Sequence, residues 1–253
     1  MTIFLLCVVG FIAAFVDSIA GGGGILSLPA FLMTGIPAHK ALGTNKFCAT
    51  SGSLTSSLKF IKERKVDFSI LKYLIPFTFM GAALGVTAVS YIPSDFLKPL
   101  ILILIIFIGV YTIFSKNLGQ INKNLELTKK RITIGILFAF IIGFYDGFFG
   151  PGTGSFLVFG LIKIFGEDFT IATGNAKVLN FVSNVCSFIL FAIKGQILYT
   201  YAIPVAIFMM MGAHLGSKLA IKNGAKFIKP IFVTMSMAVA IKLVYPFIEN
   251  IFK

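Results

Sequence analysis

Long apolar runs separated by short polar segments constrain this chain more than any other feature. Most of the runs between residues 2 and 248 hold about 20 residues, which as a helix span the roughly 30 Å hydrocarbon core of a bilayer. Inside that core the backbone must satisfy its own hydrogen bonds, and a helix does so within one segment. The sequence therefore predicts an all-α, polytopic integral membrane protein.

The charge content excludes a soluble globular domain. Charged residues make up 12% of the chain, whereas a soluble domain uses about 25% to cover its surface. The net charge of +13 comes from lysines and arginines in the short polar segments, as is typical of cytoplasmic loops. We therefore expect the lipid bilayer as a partner and no nucleic acid. The three cysteines lie in apolar runs without metal-ligand spacing, so we expect neither a metal nor a cofactor.

The chain contains an internal duplication. Three blocks match at a constant spacing of 131 residues: A-L-G-T-N-K-F (41–47) with A-T-G-N-A-K-V (172–178), M-G-A-A-L-G (80–85) with M-G-A-H-L-G (211–216), and F-L-K-P-L (96–100) with F-I-K-P-I (227–231). Upstream, D-S-I-A-G-G-G-G (17–24) matches D-G-F-F-G-P-G-T (146–153) at a spacing of 129 residues. The chain thus divides into a first membrane repeat (1–115), a basic cytoplasmic linker (116–131) and a second membrane repeat (132–253).

Each repeat holds five apolar elements. In the first repeat they are 2–19, 25–35, 41–60, 70–91 and 96–115, and in the second they are 132–149, 155–165, 172–192, 199–220 and 227–248. The second element of each repeat is too short to cross the bilayer at about 1.5 Å per residue. We therefore expect a half-helix or re-entrant segment there, so that the first two elements of each repeat form either two tilted crossings or a hairpin that dips into the membrane and returns.

The basic loops predict how the repeats are oriented. Lysines and arginines are dense in the 60–65 loop, the linker and the 217–229 loop, and sparse in the 91–95 and 193–197 loops. Placing the dense loops in the cytoplasm puts corresponding loops of the two repeats on opposite sides of the membrane. This arrangement is an inverted repeat, which is common among secondary transporters. Four crossings per repeat in parallel orientation are the alternative.

A glycine-rich turn follows an acid in each repeat. Asp17 precedes the glycines 21–24, and Asp146 precedes the turn G-P-G-T-G (150–154). Irregular backbone at membrane depth is stable where it lines a polar cavity, and the start of the next helix carries unpaired N–H groups that attract anions. Inversion would bring both turns together near the midplane. The turns thus predict an anion site, with close packing through small residues as the alternative.

The two acids need partners within the membrane. The repeat-matched Lys46 and Lys177, which open the third element of each repeat, are the candidates. Either lysine could brace the broken helices as an ion pair or contact an anionic substrate, and the sequence leaves both roles open. Since Asp17 and Asp146 repel anions, we assign them to ion pairing or proton coupling.

The third elements carry many polar side chains. Asn180, Asn184 and Ser187 share one helix face, and such a stripe either lines a translocation path or bonds neighbouring helices. His214, which stands where the first repeat has Ala83, is a further candidate for proton coupling, with local packing as the alternative. The candidate substrate-binding residues are Gly22, Gly23, Gly24, Asn45, Lys46, Ser53, Gly152, Thr153, Gly154, Ser155, Asn175, Lys177, Asn180 and Asn184.

In combination these motifs resemble a known family. The segments D-S-I-A-G-G-G-G-I-L-S-L-P-A-F, A-L-G-T-N-K and G-F-Y-D-G-F-F-G-P-G-T-G-S-F are similar to those of the sulfite exporter TauE/SafE family of bacterial membrane proteins. The resemblance spans nearly the whole chain, and the likeness is greatest to members described only as probable membrane transporters. It implies a multi-pass protein of the bacterial inner (plasma) membrane that moves sulfur-containing oxyanions or organosulfonates.

We therefore expect a secondary transporter that exports a small, sulfite-like anion with an ion gradient, and a passive anion channel is the alternative. The sequence holds no nucleotide-binding fingerprint, and no catalytic motif supports an enzyme. A small anionic substrate is the expected partner. The sequence leaves the exact substrate, the transport direction, the coupling ion and homo-oligomerisation open.

Overall fold

The computed structural model describes residues 2–97, 100–101, 103 and 125–223. Its longer helices are α1 (Thr2–Ala20), α2 (Gly24–Met33), α3 (Ala38–Lys62), α4 (Phe68–Ser90), α5 (Lys129–Phe148), α6 (Thr153–Phe165), α7 (Phe169–Ile193) and α8 (Tyr199–Asn223). The fifth predicted element of the second repeat, nearly all of its counterpart in the first and most of the linker lie outside the described residues. The boundaries of repeats and linker therefore stay predictions.

Each of these helices corresponds to one predicted apolar element. Five of them, α1, α4, α5, α7 and α8, are long and apolar enough to cross a membrane. Helix α3 is 25 residues long, but it buries polar side chains such as Asn45, Lys46 and Ser53. It packs against α1, α2, α7 and α8, so protein rather than lipid surrounds its polar face. The predicted all-helical, multi-pass membrane architecture is confirmed.

Each of the two short helices runs back along the helix that precedes it. Helix α6 runs back along α5: Thr153 at its start donates a hydrogen bond to Asp146, and further on Gly160 packs against the ring of Phe138. The chain turns back in the first repeat too, since Gly23 lies against the carbonyl oxygen of Ala13 in α1. A pair of tilted crossings and a hairpin that re-enters would both run back in this way, so both alternatives for the short elements stay predictions.

The two repeats exchange their first helices. Helix α1 packs along α8 of the second repeat, and α5 packs along α4 of the first. At both contacts, glycines four residues apart lie against phenylalanine backbone: Gly81 and Gly85 on Phe140 and Phe144, and Gly212 and Gly216 on Phe11 and Phe15. In each contact the residue numbers rise together, so the paired helices run in the same direction. The two contacts are equivalent under the duplication.

Hydrogen bonds between the repeats are reciprocal too. Thr44 Oγ1 accepts a hydrogen bond from Leu198 N at 3.0 Å, and Asn175 Oδ1 accepts one from Asp67 N at 2.8 Å. The duplication makes Thr44 equivalent to Asn175 and Asp67 equivalent to Leu198. Contacts in which one surface meets its own equivalent indicate a twofold relation. This reciprocity is consistent with an inverted repeat, and the sidedness of the loops stays a prediction.

The glycine contacts lead to a prediction about stability. A Cβ atom at Gly85 would overlap the carbonyl oxygen of Phe144, so Gly85→Leu should push α4 away from α5. Overpacking of this kind costs about 1–3 kcal/mol, and we expect a lower melting temperature of the detergent-purified protein. Leu84→Met, on the exposed face of α4, is the control. Equal melting temperatures for the two variants would contradict the close packing.

Candidate functional site

The two glycine-rich turns meet inside the protein. Gly21 lies so close to the backbone of Gly154 that a Cβ atom at Gly21 would overlap it. Ser155, at the start of α6, donates a hydrogen bond from Oγ to the Gly21 carbonyl oxygen at 2.9 Å. Gly21 and Gly152 have φ angles of 71° and 83°, which glycine adopts at little cost. The turns therefore depend on glycine both for their conformation and for their close approach.

Two ion pairs cross between the repeats. Lys46 of α3 lies 3.0 Å from Asp146 of α5, and Lys177 of α7 lies 2.7 Å from Asp17 of α1. Each lysine thus pairs with the acid of the other repeat, which the sequence had left open. A buried charge without a partner costs several kcal/mol. The pairs therefore fix the broken helix of one repeat to the third helix of the other.

Side chains surround the carboxylate of Asp146. Besides Lys46, its Oδ1 accepts a hydrogen bond from Thr153 Oγ1 at 2.9 Å. Its Oδ2 accepts hydrogen bonds from Asn180 Nδ2 at 3.4 Å and from Ser183 Oγ. The side chain is only 2% exposed. Four donors hold this carboxylate in place.

Backbone amides hold Asp17 instead. Its Oδ1 accepts hydrogen bonds from the N–H groups of Gly22 and Gly23 at 3.0 and 3.1 Å, and its Oδ2 accepts one from Lys177. These contacts correct one expectation. The sequence predicted that the amides of both turns attract an anion, but the two amides of the first turn bind the carboxylate of Asp17. The Asp17 side chain is 23% exposed, far more than that of Asp146.

A cavity of about 40 Å³ lies between the two turns. A water occupies about 10–15 Å³ of such space, so the cavity is large enough for about three waters or one small ion. Asp17 and Asp146 line it, and so do most of the predicted substrate-binding residues: Gly22, Gly23, Gly24, Asn45, Lys46, Ser53, Gly152, Thr153, Gly154, Asn180 and Asn184. The structure thus brings eleven of these fourteen predicted residues to one place.

Lys46 is the lysine that reaches the cavity. Its Nζ donates hydrogen bonds to Asp146 Oδ1 and Asn184 Oδ1, both at 3.0 Å. Asn184 Nδ2 in turn donates to Asn180 Oδ1 at 3.2 Å. An ammonium group has three N–H donors, and the described part of the chain offers Lys46 two acceptors. The remaining donor is available to a molecule in the cavity.

The start of α6 contributes further donors. Gly152 and Gly154 line the cavity, and the described residues provide no acceptor for their N–H groups. The first turn of a helix also carries a partial positive charge. The second turn therefore keeps the anion-attracting amides that the first turn uses for Asp17.

Three predicted substrate-binding residues stand outside the cavity wall. Lys177 is fully buried behind Asp17, and Ser155 bonds the turn of the first repeat. Asn175 lies near the α6–α7 junction, where its Nδ2 donates to Glu167 Oε1 at 2.6 Å and its Oδ1 accepts from Asp67 N. All three bond a residue of the first repeat. The structure thus gives them a connecting role instead of a place in the wall.

His214 does not face the cavity. It is exposed on α8, whereas the neighbouring Gly212 and Ala213 are buried on the side that packs against α1. A side chain on the outward face of α8 is separated from both acids by the helix itself. The structure thus places His214 away from the cavity, and its role stays a prediction.

The sequence analysis missed several residues of the cavity wall, most of which are small or apolar. Ala13, Ala14, Gly52 and Met209 line the cavity. Their side chains carry no polar chemistry, so no motif marks them. The duplication holds a signal for one of them, since Gly52 is the counterpart of Ser183, which bonds Asp146.

Glu167 is a buried carboxyl group in the loop between α6 and α7. Its Oε2 has no hydrogen-bond partner among the residues that the structure describes. Burial raises the pKa of Glu167 to about 8; the hydrogen bond from Asn175 lowers it, and the carboxylates of Asp67 and Asp168 raise it. Within the described ranges, no three His, Cys, Asp or Glu side chains come together as a metal site would need.

Broken helices around a polar cavity are typical of a transporter, and comparison with known proteins decides the family. Residues 6–243 match the family model of the sulfite exporter TauE/SafE. The chain belongs to the sulfite exporter TauE/SafE family. The expectation that the motifs raised is thus confirmed.

Relatives of this TauE/SafE protein are named as probable membrane transporters. One from Haemophilus influenzae is 40% identical, over 95% of this chain and 94% of its own length. The probable membrane transporter protein YfcA of Escherichia coli is 37% identical, over 94% of this chain and 87% of its own length. YunE of Bacillus subtilis is 25% identical over the full length of both chains. No solved structure matches the TauE/SafE chain.

Loss of Lys177 should destabilise the TauE/SafE fold. Lys177→Met leaves the Asp17 carboxylate without a counter-charge, and breaking a buried pair costs about 3–5 kcal/mol. We expect a strong fall in melting temperature, which the addition of Asp17→Asn should largely restore because it removes the stranded charge. A double variant no more stable than Lys177→Met alone would show that the pair is not the cause.

The raised pKa of Glu167 predicts how stability depends on pH. The folded state keeps the proton up to about pH 8, whereas the unfolded chain loses it near the ordinary glutamate pKa of 4.5. The folded state therefore binds more protons between these values, and stability should fall as pH rises from 4.5 to 8. The slope is at most about 1.4 kcal/mol per pH unit.

Unfolding measured across this pH range checks the effect of Glu167. Glu167→Gln keeps the hydrogen bond with Asn175 in reach and cannot ionise, so it should flatten the profile. Glu63→Gln, at the exposed end of α3 where Glu63 forms a surface ion pair with Lys59, is the control. A profile of equal slope in Glu167→Gln would rule this carboxyl group out as its source.

Proposed function

We propose that this protein is a secondary transporter that binds a small sulfur-containing oxyanion or organosulfonate between the two glycine-rich turns. It exports this anion across the bacterial inner membrane with an ion gradient. The single observation that carries the proposal is Lys46, a buried cation that lines a cavity built by both repeats. Membership of the TauE/SafE family supports transport, and the cavity supports the choice of an anion.

The donors around the cavity suit an oxyanion. Lys46 offers one N–H group, and the start of α6 offers the amides of Gly152 and Gly154. Hydrogen bonds from a charged donor to an anion are shorter and stronger than those between neutral groups. An anion with several oxygens can accept hydrogen bonds from all of these donors at once. A spherical anion such as chloride fits the same donors less specifically.

The charge balance of the site allows the anion to leave again. The two lysines and two acids of the crossed pairs sum to zero formal charge. An entering anion accepts the third N–H group of Lys46 while it competes with Asp146 for the positive charge, and repulsion from that carboxylate favours its release. Transport requires binding that is favourable yet weak enough for release, and this competition provides both.

The twofold relation of the repeats suggests how the site is exposed to each side. Each repeat contributes one helical hairpin, and the two hairpin tips meet at the cavity. In inverted-repeat transporters, one repeat rocks against the other around a fixed central site. Equivalent movements of the two hairpins would open the cavity alternately. The absence of a nucleotide-binding fingerprint in the sequence makes an ion gradient the energy source.

Binding and flux test the proposal together. Purified protein should melt at a higher temperature with sulfite, thiosulfate or a sulfonate than with matched chloride, because a ligand that binds the folded state stabilises it. In proteoliposomes, flux of the stabilising anion should saturate and respond to a pH or voltage gradient. No stabilisation and no flux for any of these anions would refute the proposal. Flux without saturation would favour a passive channel.

Lys46 should contribute more to anion binding than any other lysine. Lys46→Gln with Asp146→Asn removes the cation without stranding the acid. A hydrogen bond to a charged group contributes about 1.5–3 kcal/mol, so we expect anion affinity to fall at least tenfold in a titration followed by melting temperature. Lys72→Gln, exposed on α4, removes one positive charge elsewhere and is the control. Equal affinity in both variants would exclude Lys46 from the binding site.

A further inference from the structure

We infer that Ala49 and Gly52 of α3 determine the size of the anion that the cavity admits. The inference rests on the proposed function, because it takes the cavity as the substrate site. It assigns size selection to two positions that carry no polar group. The argument starts from the duplication, which pairs each wall residue with a counterpart in the other repeat.

The counterparts of these positions hold the carboxylate of the second repeat. Asn180 and Ser183 of α7, with Thr153 of α6, donate hydrogen bonds to Asp146. At the spacings of the duplication, their equivalents in the first repeat are Ala49, Gly52 and Gly24. Three polar side chains of the second repeat are therefore replaced in the first by one methyl group and two hydrogens.

The cavity lies where those side chains are missing. Ala49, Gly52 and Gly24 all line it. The two acids show the same asymmetry, since the side chain of Asp17 is 23% exposed and that of Asp146 only 2%. The two repeats are otherwise joined by reciprocal contacts. The asymmetry of these three positions thus leaves an open space on the first-repeat side.

Gly52 is not required by the packing of α3. A Cβ atom there would lie 3.5 Å from Ala14 Cβ and 3.7 Å from Met209 Cβ, which is ordinary contact. At Gly81 or Gly212, by contrast, a Cβ atom would overlap backbone of the neighbouring helix. Glycine inside a helix lowers its stability relative to alanine. An empty space for a ligand explains why this helix carries glycine at a position where alanine fits.

Size selection follows from the shortage of room. With a volume of about 40 Å³, the cavity has no space to spare for a further side chain. The hydroxymethyl group of a serine at position 52 would take up part of the space that a ligand needs. An asparagine at position 49 would take up more of it, as Asn180 does in the second repeat.

Filling the cavity tests the inference in the full-length protein. The variants are Gly52→Ala, Gly52→Ser and Ala49→Asn, with Ala83→Ser on α4, which does not line the cavity, as the control. Sulfite is the compact probe and sulfoacetate the larger one. We expect Gly52→Ser to weaken sulfoacetate binding at least tenfold more than sulfite binding, and Ala49→Asn to weaken both at least tenfold. Gly52→Ala should fall between the parent and Gly52→Ser.

The melting temperature without ligand separates a filled cavity from a damaged fold. Because a Cβ atom fits at position 52, Gly52→Ala and Gly52→Ser should melt no lower than the parent protein. Unchanged affinities for both anions in Gly52→Ser, or equal losses for both, would overturn the inference. Either result would leave the proposed function standing, because the parent protein would still bind its anion.

Thiol labelling tests the position of the open space without any substrate. The three natural cysteines, all buried, are first replaced by serine. In that background, Gly52→Cys should react with a small, anionic thiosulfonate reagent, and Ser183→Cys should not. Labelling at position 183 but not at 52 would overturn the inference. If the parent protein binds no anion, the proposed function fails, and the labelling still decides where the space lies.

Discussion

The crossed ion pairs are the interaction on which the rest of this structure depends. Four charges, contributed by α1, α3, α5 and α7, lie in the interior of the protein. A charge in such a place is tolerated only with a partner. Because each partner belongs to the other repeat, neither repeat can satisfy its own charges alone. The electrostatics therefore require the two repeats to assemble around a common centre.

Close backbone contact makes this assembly possible. The acids and lysines can meet only if the glycine-rich turns come together, and these turns are packed so tightly that a side chain at Gly21 would not fit. The same principle joins the outer helices, where the glycines of α4 and α8 lie against the backbone of α5 and α1. Without a hydrophobic force between helices in lipid, such close packing supplies much of the association energy.

The proposed function depends on a difference between the two repeats. Reciprocal contacts surround the centre, but polar side chains hold Asp146, whereas backbone amides and an open space surround Asp17. We propose that an anion binds in this space beside Lys46, within a site whose formal charge is balanced. A fully symmetric centre would have both acids enclosed by side chains and no room for a ligand. The cavity is thus the consequence of a few small residues in one repeat.

The sequence alone identified the helices, the duplication and the four charged residues of the centre. Each of these leaves a local trace: an apolar run, a matched block, or an ionisable residue within a membrane segment. It also placed most of the cavity wall, because glycine turns and polar stripes are visible as motifs. It could not exclude Lys177, Ser155 and Asn175 from that wall, since a side chain that bonds a neighbouring repeat has the same composition as one that binds a ligand.

Tertiary structure decided what depends on contacts between distant segments. The pairing of Lys46 with Asp146 joins residues 100 positions apart, and nothing local to either residue specifies it. The same holds for three other features that local sequence does not specify. They are the return of α6 along α5, the hydrogen bonds from the Gly22 and Gly23 amides to Asp17, and the outward position of His214. A sequence records which groups are present, but the free energy of a buried charge or amide depends on what the folded chain places next to it. Only the tertiary structure therefore determined where the cavity lies.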